Sequence, residues 1–172
     1  MPKWLRAVTI LFGILATVFV GLASWDNLSA SGSVPDPVRR HDVRIVRDSW
    51  GVPHIIGHTD ADVAYGLAIA HAEDDFRNLE EIIAAVRGRA GAITGAEGAK
   101  FDFAGAFLGA NATAHRHYAE LSPATRAVLE AYAQGLNRYA DRHPSEQRLR
   151  GLFPVNGEDI AAGFMLPSPV FF

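Results

Sequence analysis

Two short apolar runs joined by a turn, then a long helical period, constrain this chain more than anything else in it. Val43 and Ile45 alternate with Arg44, and Arg47 closes the run. That is the period-two pattern of a half-buried strand. Asp48-Ser49-Trp50-Gly51 follows, with Gly51 supplying turn freedom. A second run covers residues 52–56, where Pro53 restricts the strand to an edge or a strand start. Two short strands make no stable sheet alone, so this hairpin has to lie against helices.

The rest of the chain supplies them. Thr59 or Asp60 can cap a helix, with Asp60 and Asp62 favourable in its first turn. Val63, Leu67, Ala70, Asp74, Leu79, Ile82, Ile83 and Val86 give a mostly helical apolar period, and Gly88 is a plausible stop. Gly66 inside that helix costs about 1 kcal/mol relative to Ala; close approach of a neighbouring backbone would account for it. Residues 89–98 read as a Gly/Ala-rich connection with at most one helical turn. Residues 101–109 are apolar and broken by glycine, and residues 112–121 read as helix. Ser122-Pro123 restarts a helix, Ser as cap and Pro in the first position. Val128, Leu129, Tyr132, Leu136 and Tyr139 mark its buried face, and His143-Pro144 ends it. Residues 146–153 read as a polar loop and residues 158–164 as a last short helix. Pro167 and Pro169 exclude helix at the end of the sequence. The fold class is mostly α with a short β-hairpin. A lone hairpin and an ending on Phe171-Phe172 suggest one part of a larger fold.

The first residues form a separate object. Lys3 and Arg6 precede an uncharged run over residues 7–24. This is the pattern of an export signal or of an uncleaved anchor that keeps its basic end inside. Residues 26–36, rich in Ser, Gly, Pro and Asp, read as a linker. The division is therefore residues 1–32 as signal or anchor plus linker, and residues 33–172 as the folded region. Localisation follows as exported, either periplasmic or anchored to the cytoplasmic membrane. A net charge of -3 argues against a nucleic-acid partner. The sequence has no Cys, which excludes disulfides and thiolate chemistry.

A search for chemistry finds little. No Gly-x-Ser-x-Gly elbow, Ser-x-x-Lys or phosphate loop is present. Ser49, Asp48 and His54 lie close in sequence, but turn chemistry explains Ser and Asp more cheaply than a triad does. His54 and His58 are four apart, but Gly57 and the Pro53 context argue against the helix that would align them, and His115 and His117, two apart, would lie on different helix faces. Glu73, Asp74 and Asp75, and Glu80 with Glu81, read as solvated acidic faces. Phe164, Met165, Phe171 and Phe172 are the residues best suited to hold an acyl or aryl group, with core packing the competing reading.

Residues 47–55, Arg-Asp-Ser-Trp-Gly-Val-Pro-His-Ile, resemble the Arg-Asp-x-x-Gly-Val-Pro-His-Ile signature of the penicillin acylase family. Tyr65-Gly66 and Ala72-Glu73-Asp74 resemble that family's next helix. Residues 131–137, Ala-Tyr-Ala-Gln-Gly-Leu-Asn, resemble its Ala-Tyr-Ala-x-Gly-Val-Asn helix, and Glu158-Asp159-Ile160 the start of a later one. The matches keep family order over residues 43–172. Asp75 departs from the Arg usual there.

The resemblance implies the α-chain part of an αββα N-terminal-nucleophile hydrolase. In that family a precursor cleaves itself, and the β chain begins with the catalytic Ser, whose own amino group acts as base. The reaction is hydrolysis of a linear amide in a penicillin, a cephalosporin, an N-acyl-homoserine lactone or a related N-acyl compound. The implied partners are the β chain and an N-acyl small molecule, with a membrane through residues 7–24. No catalytic residue is expected here. Phe164, Met165, Phe171 and Phe172 would form acyl-pocket wall, and Arg47, Asp48, Gly51 and His54 would be architectural. No cofactor is expected in this chain, although the family resemblance allows calcium in the complete enzyme. The alternatives are a membrane-anchored helical binding module and a non-catalytic truncated acylase.

Overall fold

The chain divides into two units, residues 1–33 and 34–172. The computed structural model describes residues 16–17 and 41–165. The signal-or-anchor reading of residues 7–24 thus lies almost wholly outside the described residues, as do Phe171 and Phe172. Among the described residues, no helix is long and apolar enough to cross a membrane.

The hairpin forms as read. Strand β1 (Val43–Arg47) pairs antiparallel with β2 (Pro53–Gly57), with Ile45 opposite Ile55. Pro53 falls at the start of its strand, where its missing N–H costs nothing. Gly51 takes φ +83°, a left-handed conformation open to glycine. Asp48 closes the turn, accepting hydrogen bonds from Trp50 N and Val52 N.

Helix α1 (Asp60–Val86) opens with a reciprocal capping box between Thr59 and Asp62, which satisfies two otherwise unpaired N–H groups. The hairpin lies on its first half. A β-carbon on Gly66 would sit 2.5 Å from Val43 Cγ2 and 2.8 Å from Ile55 Cγ2. Side chains of the hairpin, rather than the expected backbone, are therefore what Gly66 admits. The helix breaks at Asp75 (φ -153°, ψ 54°). The Asp75 carboxylate accepts from Asn78 N at 3.4 Å, as an N-cap would at the start of the second half. The position that departs from the family pattern is thus the position of the break.

After α1 comes one turn, α2 (Gly91–Thr94), then α3 (Ala96–Leu108) and α4 (Ala110–His117), with a 3₁₀ turn at Tyr118–Glu120. The glycine-broken stretch at 101–109 is thus continuous helix as far as Leu108. Gly98 is tolerated because it touches the Ala90 carbonyl, a contact that outweighs its poor propensity. Helix α5 (Pro123–Arg142) starts as read, with Ser122 accepting from Thr125 N. Helix α6 (Gly157–Met165) ends the described region.

The core lies where α1 meets α5. Ala68, Ala72, Phe76, Leu79 and Ile83 pack with Ala133, Leu136, Tyr139 and Ala140, closed by Leu152, Val155 and Ile160. Burying side chains such as Phe76 and Leu136 contributes about 1.5–3 kcal/mol each. Two expectations fail here. The loop at 146–153 is not simply polar, since Leu152 is fully buried. Val63, Leu67 and Ile82, members of the apolar period, are exposed, and alanines carry much of the inner face instead.

Candidate functional site

The signature residues build a brace. Arg47 on β1 reaches across to α1, pairing with Glu73 at 3.0 Å and Asp74 at 2.8 Å. It also donates to the carbonyls of Ala70 and Gly51. Asp74 and then Glu73 raise the guanidinium pKa further, so the charge of Arg47 is fixed. The acidic run at 73–74 is therefore partly engaged with the hairpin rather than merely solvated.

Asp48 is held below the usual carboxylate range, first by the N–H groups of Trp50 and Val52 and then by His54. His54 Nε2 lies 3.3 Å from Asp48 Oδ2. No hydrogen bond joins Ser49 to either, so the three do not form a triad. Four other histidines each meet a different acid: His41 with Asp62, His58 with Asp42, His115 with Glu158, and His117 with Glu120. Among the described residues, no three His, Asp or Glu side chains gather as metal ligands.

Helix α6 is the most elaborately held element. Arg87, at the end of α1, pairs in bidentate fashion with Asp159, at 3.0 and 2.7 Å. It also donates to the carbonyls of Leu152 and Pro154. Asn137 exchanges two hydrogen bonds with the Val155 backbone, at 2.8 and 2.7 Å. Glu130 accepts from Tyr118 Oη and from Gly157 N. Burial and then Glu130 push the Tyr118 phenol well above its ordinary range. Sequence reasoning missed Arg87, Glu130 and Asn137 as positioning residues. The acid-rich start of α6 was the visible signal, but its basic partner lies 72 residues earlier.

These contacts aim the end of α6. Phe164 and Met165 line an apolar groove of about 370 Å³ with Ala114, His117, Tyr118, Leu121 and Leu129. Phe164 is 72% exposed, so its ring is available rather than spent in the core. A second groove, of about 510 Å³, lies between the end of α1, α3 and α4. The described hydroxyls of Ser122 and Thr59 are helix caps. This geometry can hold an apolar group.

The architecture matches a solved chain of the thermostable penicillin G acylase from Alcaligenes faecalis. The TM-score is 0.58 at 24% identity, over 74% of this chain and 72% of that one. That likeness establishes the fold. The penicillin amidase family profile matches residues 42–164, and the chain belongs to that family. Penicillin acylase 2 proenzyme of a Pseudomonas species is 34% identical over 109 residues, 63% of this chain and 14% of that protein. An acyl-homoserine lactone acylase of Pseudomonas syringae pv. tomato is 28% identical over 145 residues, 81% of this chain and 18% of that protein. The chain thus spans less than a fifth of either curated relative.

Proposed function

We propose that this chain is the α portion of an exported acylase that hydrolyses linear amides, and that it shapes the acyl pocket while a β chain supplies the N-terminal Ser. The observation that carries the reading is the groove at Phe164 and Met165, set at the end of a tightly braced helix in a chain of this family. An apolar groove with few polar groups suits an acyl chain. The substrate class is an N-acyl compound of the penicillin or acyl-homoserine lactone type, following the names of the relatives, or of the cephalosporin type, following the family resemblance alone. Phe171 and Phe172, which lie outside the described residues, are assigned the same acyl-binding role by the family resemblance. Export to the periplasm, or anchoring through residues 7–24, belongs to the same reading, and no step of it is routed through calcium.

The experiment measures release of phenylacetate from penicillin G and of fatty acid from an N-acyl-homoserine lactone. It compares the chain alone with the chain produced together with the β portion of its own precursor. Hydrolysis is expected only with both. Turnover by the chain alone would overturn the proposal.

A further inference from the structure

Helix α3 presents its residues in reverse for a surface helix. Phe101, Phe103 and Phe107 are 67%, 74% and 81% exposed, and Phe103 stacks on Phe107 with ring centroids 6.4 Å apart. Gly98 and Asp102 face inward instead. Gly98 lies directly against the Ala90 carbonyl. Asp102 turns in to accept from Ala90 N and Gly91 N, both at 2.8 Å. These contacts fix the rotation of the helix, so the rings stay outside. Glu97 and Lys100 pair with each other at 2.7 Å, which leaves the outer face without net charge.

We propose that this phenylalanine face is an assembly surface, and that its occupant is the remaining portion of the acylase polypeptide. The proposal rests on the functional reading above and adds the surface through which the two portions meet. Three observations select the occupant. The chain accounts for only 14% and 18% of the two relatives, so most of such an enzyme is available to cover it. A neutral aromatic face has no charge with which to attract an anionic lipid headgroup or a nucleic acid. The three rings expose on the order of 400 Å², so two copies meeting here would bury roughly 800 Å² in total, the scale of a crystal contact. A larger partner that covers α3 together with more of this chain clears the threshold for a stable interface.

The test replaces Phe103→Ser and Phe107→Ser together in the complete precursor. In the unmodified protein the second portion copurifies with this chain, and an N-acyl substrate is hydrolysed. The double variant is expected to reduce copurification about tenfold or more, with the circular dichroism of this chain unchanged. Phe103→Leu with Phe107→Leu is expected to restore it. Undiminished copurification by the serine variant overturns the proposal. So does concentration-dependent self-association of this chain, or binding to phosphatidylethanolamine–phosphatidylglycerol vesicles, that the serine variant abolishes. Copurification without hydrolysis in the unmodified protein overturns the functional reading alone. Hydrolysis with an unaffected serine variant overturns the interface alone.

Discussion

The contact between α1 and α5 and the outer face of α3 use residue size in opposite ways. At the first, small residues bring two helices together: Ala68, Ala72, Ala131 and Ala133 are at most 1% exposed. Gly135 lets the backbones close further, since a β-carbon there would meet the Tyr65 carbonyl oxygen at 2.6 Å. Large residues such as Phe76 and Leu136 then fill the space beyond. In α3 Gly98 is the one buried residue, and the large side chains Phe101, Phe103 and Phe107 are exposed. One region has finished its packing within these residues. The other has only seated itself, and its apolar surface is left for something else to cover.

The largest expected effect tests whether the finished region depends on its buried charge. Glu80 is fully buried, and its carboxylate accepts from Arg148 Nε at 2.8 Å and from the N–H groups of Arg148 and Leu149. Glu80→Ala leaves those donors unpaired and is expected to cost about 3 kcal/mol, the low end for a broken buried pair because Arg148 stays partly in water. Urea denaturation measures it. A loss under 1 kcal/mol would mean that the 148–152 loop is not tied to the core through this group. Next comes Gly135→Ala, expected to cost about 1–3 kcal/mol through overpacking against the α1 backbone. The same measurement checks it, and a stabilised variant would show that the α1–α5 spacing is not set there.

A smaller and local effect is expected in acid. Asp48, held by the N–H groups of Trp50 and Val52, and Asp62, held by the Thr59 hydroxyl, both sit below the ordinary carboxylate range. A depressed folded-state pKa stabilises fully above the unfolded value, and the contribution is lost as pH falls through the lowered one. Asp48 closes the hairpin turn. Asp62 caps α1 and meets His41 Nδ1 at 3.1 Å. Below about pH 4 the hairpin and the first turn of α1 should therefore loosen before the α1–α5 core. Amide exchange at Trp50 and Val52, followed against Leu136 by NMR, reads this out. Simultaneous loss would show that the hairpin and the core form one cooperative unit.

The division between these regions also marks how far the sequence could be read. Caps and turns were legible because their causes are local: Thr59 with Asp62, Ser122 before Pro123, Gly51 in its turn. Glu80 looked like a solvated acid because its partner Arg148 stands 68 residues away. Helix α3 reads as a Gly/Ala-rich connection followed by a glycine-broken apolar run because Gly98 and Gly105 are poor helix formers, and only contact with Ala90 shows what the first of them achieves. For the candidate site, chemical type alone picked out Phe164 and Met165. The groove around them, with Ala114 on α4 and Leu129 on α5, could not be seen from spacing. Family order supplied the hairpin brace, yet the pairing of Arg47 with Glu73 and Asp74 appears only in three dimensions.

The smallest expected effect bears most directly on the contrast between the regions. Phe103→Ser removes a large apolar side chain that is 74% exposed. An exposed site with no cap, cavity or buried partner should change the stability of the chain by no more than about 0.5 kcal/mol. The same kind of residue in the finished region, Phe76 at 5% exposure, would cost about 3–5 kcal/mol as Phe76→Ala. Comparing the two by denaturation isolates location from chemistry, because both remove an aromatic ring from a helix. If Phe103→Ser destabilised the chain by more than 1 kcal/mol, α3 would already be part of the folded core, and its phenylalanines could not be held in reserve for a partner. A near-neutral result, with lower binding of a dye such as anilinonaphthalenesulfonate, would mean that selection acting on Phe103 comes from outside these residues.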